Sequence, residues 1–283
     1  MKNNTFIKAL CFVIPFLFSS LCYGQSTELG FMGGVSSYKG DINESLFQTE
    51  NFHPSFGLKF RRCFNNHWSF ALTGMYGRIS AEDSLSDVEF KLNRNLSFRS
   101  DIIEISGRFE FNFFPFQTSN PSSYGATPFL FVGVSGYRFN PKANLDGEWV
   151  ELQPLATEGQ GSSIYPDRKK YNRTQIAIPL GGGFKFRFNK KFGMAVEMGA
   201  RKTYTDYLDD VSTTYVDKSI LLSNGGPEAV ILADRSPTAD IAANKQRGVE
   251  GDNDWYMFAM VSITFSWSKK YTDNCSPFRS KLR

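Results

Sequence analysis

The chain has 283 residues, a formal net charge of +4, 41% hydrophobic residues and a mean hydropathy of −0.32. That mean excludes a polytopic helical membrane protein, which needs several apolar runs of roughly 20 residues. An aromatic share of 16%, with 28 Phe, 12 Tyr and 24 Gly, excludes a disordered chain as well. A polar average rich in Phe and Gly fits the alternating strands of a membrane barrel, and it also fits a soluble β-sandwich.

Residues 1–24 read as a secretory signal peptide. Lys2 and Lys8 make a basic start, Ala9 to Leu21 is an apolar run, and Cys22-Tyr23-Gly24 precedes cleavage before Gln25. The run is too short for a membrane anchor, and the bulky Leu21 disfavours acylation at Cys22. Loss of Lys2 and Lys8 lowers the formal charge from +4 to +2, which suggests no nucleic-acid partner. Cys11 and Cys22 leave with the signal, so Cys63 and Cys275 remain in an exported, oxidising setting.

Eight segments then alternate with period two. The first, about 28–38, and the fifth, about 128–138, are the least regular. In the second, Phe56, Leu58 and Phe60 oppose Lys59 and Arg61; in the third, Trp68, Phe70, Leu72 and Tyr76 oppose Ser69, Ala71 and Thr73. The fourth sets Ile103, Ile105, Phe109, Phe111 and Phe113 against Glu104, Ser106, Arg108, Glu110 and Asn112. The sixth sets Ile176, Ile178, Leu180, Phe184, Phe186 and Phe188 against Ala177, Lys185 and Arg187, with Gly181-Gly182-Gly183 inside it. The seventh alternates Phe192, Met194, Val196 and Met198 with Gly193, Ala195, Glu197 and Arg201; the last runs from Trp255 to Trp267.

The second face decides between sandwich and barrel. Sandwich strands are usually about five or six residues long, with a solvated polar face. Here the strands are about twice that length, and small residues alternate with opposite charges, as the packed interior of a narrow closed barrel requires. Glu104, Glu110 and Glu197 are expected to face Arg61, Arg108, Lys185, Arg187 and Arg201 in a lumen ion network, most of whose members serve only to plug the barrel. On the outward parity Trp255 and Trp267 lie 12 residues apart, as do Phe192 and Tyr204. At a tilt of about 45° that interval spans roughly 28 Å, the separation of two aromatic girdles.

Loop lengths alternate. Asn65-Asn66 and Asn189-Lys190 are tight turns and 115–127 is moderate, whereas 39–52, 80–98, 139–173 and 206–252 are long. Short periplasmic turns and long external loops place both termini in the periplasm. The expectation is an all-β fold: a closed antiparallel up-and-down transmembrane β-barrel of eight strands over 25–268, in the outer membrane. The alternation of Val88, Phe90 and Leu92 in the second long loop leaves room for strands above the membrane, or for a count of ten or twelve.

No enzymatic chemistry is expected. His53 and His67 have no metal-ligand spacing, and the chain carries no nucleophile elbow, P-loop, Cys-x-x-Cys or dinucleotide fingerprint, so no cofactor is implied. Some small barrels are acyltransferases with a histidine near a serine; Ser55 follows His53 here, but no third member can be placed.

Tyr38-Lys39-Gly40-Asp41 follows the first strand, Asp206-Tyr207-Leu208-Asp209-Asp210-Val211-Ser212 follows the seventh, and Arg247-Gly248 with Asp254 leads into the last. Together these segments resemble the PorG-like family of outer-membrane barrels, found in Bacteroidota and associated with the type IX secretion system. The resemblance covers essentially the whole mature chain, and Asp-Tyr-Leu-Asp-Asp is its most specific part. It implies a non-enzymatic component of that machinery, associated with a periplasmic ring built from a lipoprotein and its partner. The acidic residues of these motifs read more readily as turn-forming caps than as ligand-binding groups.

Residues 269–283 form a basic tail with Lys269, Lys270, Arg279, Lys281 and Arg283 against Asp273. It is expected in the periplasm on the same side as Cys63, so Cys275 either pairs with Cys63 or bonds to a periplasmic partner. An OmpA- or OmpX-like structural or adhesin barrel would instead act through its external loops, particularly 206–252. A small-solute channel would need an open lumen.

Overall fold

The structure is a computed structural model that describes residues 26–120, 123–237 and 241–268. The signal segment 1–24 and the basic tail, with Lys269, Lys270, Cys275 and Arg279, lie outside the described residues.

Eight long strands form the barrel: β1 (Ser26–Lys39), β2 (His53–Cys63), β3 (Trp68–Glu82), β4 (Ser97–Asn112), β5 (Ala126–Arg138), β8 (Thr174–Arg187), β9 (Phe192–Thr203) and β10 (Trp255–Ser268). Each pairs antiparallel with its neighbours, and the β1–β10 ladder, from Ser26↔Ser268 to Lys39↔Trp255, closes the ring. The count is eight, in the expected segments. A short hairpin, β6 (Pro141–Leu145) and β7 (Glu148–Glu151), extends the sheet in the third long loop without entering the ring. Three helices decorate the long loops: α1 (Glu89–Arg94), α2 (Leu152–Leu155) and α3 (Lys218–Ala233), the last broken at Gly226, where φ is 78°.

The second long loop departs from the alternation read in its sequence. Val88, Phe90 and Leu92 do not form a strand; 89–94 is helical and ends at Asn95 in the left-handed region, φ 54°. A six-residue window cannot separate a period of 2 from one of 3.6. The helix prevails because Lys91 and Arg94, three apart, can then turn together toward Glu44 and Asp83. The strands nonetheless extend beyond the bilayer, since β3 and β4 stay paired up to Glu82↔Ser97.

Outward side chains form an apolar belt in which Phe31 (70% exposed), Ile105 (64%) and Val134 (62%) have no protein cover. A closed barrel with such a belt and filled interior is stable only with lipid around it, so the chain is an integral outer-membrane barrel. Trp68, Phe192 and Trp267 mark the rim near the short turns, and Tyr76 and Tyr204 the rim near the long loops, all exposed. The short turns and both ends of the ring lie together at one end.

Candidate functional site

Two constellations of buried polar groups fill the molecule, one in the lumen and one above it. In the lumen Lys59 pairs with Glu197, which also receives Arg108 Nη2 at 2.6 Å. Arg61 pairs with Glu28 and reaches Glu110 Oε2 at 3.3 Å. Lys185 Nζ lies 2.7 Å from the same Glu110 oxygen and donates to Asn112 Oδ1 at 2.7 Å. Arg201 Nε meets Glu104 Oε2 at 3.0 Å, and the Tyr256 hydroxyl donates to that oxygen at 2.7 Å. Aromatic rings complete the plug: Phe131 lies under the Arg108 guanidinium at 4.2 Å, and Phe129 under Lys185 at 4.2 Å. Opposite charges so placed compensate one another, which lowers the cost of their removal from water, although Arg108 Nε and Nη1 and Glu110 Oε1 are buried without a hydrogen bond.

The structure places Arg61, Glu104, Arg108, Glu110, Lys185, Glu197 and Arg201 in these lumen contacts, and two placements differ from the sequence reading. Arg187 turns to the moderate turn at the periplasmic rim, donating to Ser123 Oγ and Ser123 O at 2.9 Å, because at the end of β8 those oxygens come within its reach. Glu28 and Lys59, absent from the network expected from sequence, join it. Glu28 stands alone among the small residues of β1, and only the pairing Glu28↔Arg61 across β1–β2 shows its partner.

Above the lumen the four long loops fold into a cap with its own core. Ile42, Leu96, Leu152, Leu155, Leu208, Val211 and Leu232 belong to one buried cluster with Phe98, Tyr137 and Phe258 of the barrel. Phe139, Tyr171 and Tyr207 stack in series at 5.9 and 4.9 Å, each pair inclined by 12°.

The segments that carry the resemblance meet inside this cap. The Tyr38 hydroxyl donates to Asp209 Oδ2 at 2.6 Å and contacts Asp254 Oδ1 at 3.2 Å. Asp254 Oδ2 accepts from Leu208 N at 2.8 Å, Asp209 Oδ1 from Val211 N at 3.0 Å, and Asp41 Oδ1 from Val249 N at 3.0 Å. Asp206 Oδ2 accepts from Ser212 Oγ at 2.7 Å, while its Oδ1 is buried without a hydrogen bond. Asp210 takes the Tyr171 hydroxyl at 2.7 Å and the Thr157 hydroxyl. The two glycines are there because nothing larger fits. A Cβ on Gly40 would stand 1.9 Å from Asp254 Oδ1, and one on Gly248 2.5 Å from Asp41 Oδ2.

Two arginines tie the loops together. Arg247 Nη1 bonds Glu158 Oε1 at 2.8 Å and the Asp210 carbonyl at 2.7 Å, and its Nε donates to Ala233 O at 3.2 Å. Arg94 holds Asp83 with Nε and Nη2 at 2.7 and 2.6 Å, and donates to Arg247 O at 2.5 Å and Asp41 O at 3.1 Å. One guanidinium thus joins loops one, two and four, and the other joins three and four. Arg94, Asp83 and Glu158 were not expected from sequence. The sequence offers no local signal for them, since Asp83 follows Glu82, Arg94 sits between Asn93 and Asn95, and Glu158 lies between Thr157 and Gly159.

Carboxylates outnumber cations in this cap, with electrostatic consequences. Burial raises Asp206 and Asp210 to about 7, with Glu158 adding to both. Burial, then the charge of Asp209, raises Asp41 and Asp254, and burial raises Asp209 itself. Asp209 makes a local turn, its Oδ1 taking Val211 N two residues on, but it is buried; Asp41, half-buried, instead caps Val249 N in the fourth loop.

The remaining candidates are simpler. Cys63 is buried at the periplasmic end of β2, its thiol 4.0 Å from Glu28 Oε1. His53 Nε2 lies 2.6 Å from Ser80 Oγ, whereas the Ser55 hydroxyl turns inward to Met260 Sδ at 3.4 Å. Asp101, the carboxylate near His53, is engaged by Arg78 at 2.8 Å and by the Tyr76 hydroxyl at 3.0 Å. No group of three His, Cys, Asp or Glu side chains arranged to hold a metal occurs among the described residues.

Among solved structures the chain is similar to Neisserial surface protein A (8% identity, 86% of this chain and 98% of that one, TM-score 0.42). It is also similar to Ail, the attachment invasion locus protein of Yersinia pestis (10%, 86% and 98%, TM-score 0.40). A third is the N-terminal β-barrel domain of Pseudomonas aeruginosa OprF (11%, 86% and 97%, TM-score 0.36). No curated protein matches the sequence. The model of the family described as domain of unknown function DUF6089 matches residues 7–221, three quarters of the chain, and the chain belongs to that family.

Proposed function

We propose that the protein is a non-enzymatic, non-conducting barrel of the type IX protein secretion machinery, anchoring or contacting its periplasmic ring lipoprotein and the associated subunits. The supporting observation is that the residues behind the PorG-like resemblance, Tyr38, Gly40, Asp41, Asp206–Asp210, Arg247 and Gly248, meet inside one cap, where all but the half-buried Gly40, Asp41 and Tyr207 are buried. Residues scattered over more than 200 positions serve one device, which seals the external mouth above a lumen already filled by ion pairs. A barrel closed twice over acts by position, not by transport through itself.

In this reading the basic tail, with Lys269, Lys270 and Arg279, meets the ring, and Cys275 either joins it covalently or pairs with Cys63. Purification of the full chain and of a chain lacking 269–283 from membranes under non-reducing conditions tests it. The ring lipoprotein is expected with the full chain and at least tenfold depleted with the truncated one. Equal recovery with both rejects the tail contact, and Cys275→Ser separates a covalent link from a non-covalent one.

A further inference from the structure

The outer wall of the barrel is not smooth. Across β5, β8, β9 and β10 it carries a groove of about 490 Å³ whose lining is apolar throughout. Gly182 shares the outward parity of Leu180 and Phe184, and it presents no side chain between its neighbours Leu130 and Met198. Ala200, opposite Leu180 and Met257, continues the gap toward the external side.

The groove runs obliquely. Leu46 and Phe47 of the first long loop line its external end, where the Ser37 hydroxyl donates to Leu46 O at 2.7 Å and holds that loop against the outer wall. Met257, opposite Ser37 and also of outward parity, is only 2% exposed there. The other end reaches Phe113 and Pro128 near the short turns. Four strand spacings and four residues of offset make the groove roughly 20–25 Å long and, at its volume, about 5 Å across. That is the width of one extended hydrocarbon chain, and about half the 10–12 Å of a helix with its side chains. The convex wall of a second barrel bridges such a trough without entering it.

Cations stand at its mouth. Lys39, Trp255 and Lys202 form one outward rung at the external rim, two residues above Met257, which is roughly 5 Å at a tilt of about 45°. The two lysines flank Trp255 on β1 and β9, about 9–10 Å apart by strand spacing. Both are exposed, and neither has an ion-pair partner among the described residues. Elsewhere at the external side Arg78 is satisfied by Asp101 and Arg173 by Glu151, each at 2.8 Å. The charge of Lys39 is felt by Glu44, but that carboxylate is already paired with Lys91 at 2.7 Å.

From the trough and the two cations above it we infer that the barrel holds one outer-leaflet lipid as a bound ligand. Its acyl chain lies along Ala200 and Gly182, and its phosphate is taken by Lys39 and Lys202. Basic side chains at the interface select anionic headgroups, and a preformed apolar trough lowers the cost of ordering the chain beneath. The inference does not depend on the secretion role.

The test is native mass spectrometry of the full chain in mild detergent, with lipid A, a phosphorylated and multiply acylated lipid, added as probe. Phosphatidylcholine, which has no net charge, is the comparison. One lipid A per barrel is expected, bound at least tenfold more tightly than phosphatidylcholine. Lys39→Gln with Lys202→Gln should erase that preference, and Ala200→Trp, which fills the groove from its outward face, should lower lipid A binding at least tenfold. Heat-modified gel mobility checks that each variant is folded. Equal binding of the two lipids, or lipid A binding unchanged in either variant, overturns the inference. So does a second copy or another protein that leaves the barrel with Ala200→Trp while lipid A stays.

Discussion

The Tyr38 hydroxyl donates to the Asp209 carboxylate at 2.6 Å across 171 positions of sequence, joining the end of the first barrel strand to the fourth external loop. That bond sits where the barrel ends and the cap begins, with Asp254 at 3.2 Å on its other side. Because both carboxylates are buried, the hydroxyl matters more for what its loss leaves unpaired than for its own strength.

Tyr38→Phe is therefore expected to loosen the cap by about 1–3 kcal/mol, the usual cost of stranding a buried polar group. The barrel below keeps its ladders. Hydrogen exchange should rise in peptides covering 204–212 and 247–254 while β8 and β9 stay protected. Uniform loss of protection throughout the chain contradicts this separation.

Glycine replacement strikes the same place sterically. An alanine at Gly40 meets Asp254 Oδ1 and the Tyr38 hydroxyl, at 1.9 and 2.0 Å from its Cβ, so something in the buried network must move. Gly40→Ala is expected to make the external loops protease-sensitive in intact cells, with gel mobility of the folded barrel preserved. Gly74→Ala, where a Cβ meets nothing within 4 Å, is the matched control.

The acidic cap has a defined pH dependence. Asp41, Asp206, Asp209, Asp210 and Asp254 have folded-state pKa values raised above the ordinary carboxylate range, to about 7 for Asp206 and Asp210. A group raised on folding binds its proton more tightly in the folded state, so the stability it confers is complete below about pH 4 and is lost as pH climbs through the raised value. The cap should tighten on acidification and loosen between about pH 4 and pH 7, the opposite of a salt-bridged carboxylate. Exchange of the fourth-loop peptides, corrected for intrinsic rate, measures it; protection that grows toward pH 8 contradicts it.

In the lumen, Lys59→Met removes one partner of Glu197 and leaves Arg108 as its remaining cation. Breaking a buried pair on one side costs about 3–5 kcal/mol, while replacing both partners by apolar groups is far milder. Because Glu197→Met also takes from Arg108 its carboxylate partner, the double variant Lys59→Met with Glu197→Met should cost less than the sum of the two single losses, without recovering either, in resistance to urea unfolding in lipid vesicles. Additive losses contradict the pairing.

These outcomes mirror what the sequence could carry. The parity of Phe56, Leu58 and Phe60 against Lys59 and Arg61 is local, so strand faces and the eight-strand count are readable from it. Which cation meets which carboxylate depends on how strands stagger around the ring, and Lys59 finds Glu197 three strands away, across β1 and β10. The second external loop fails locally, because Val88, Phe90 and Leu92 satisfy a strand pattern while the ion pairs of Lys91 and Arg94 select the helix. The acidic motifs were visible, but only the convergence of four loops shows that they are a core and not an array of surface turns.

We propose that this closed barrel serves secretion by position. The most direct measurement is export of a type IX cargo protein in cells lacking the chain, complemented with the full chain or with the chain lacking 269–283. Export is expected to be abolished without the chain, restored by the full chain, and not restored by the truncated one even though its barrel reaches the outer membrane. Undiminished export in cells lacking the chain contradicts it.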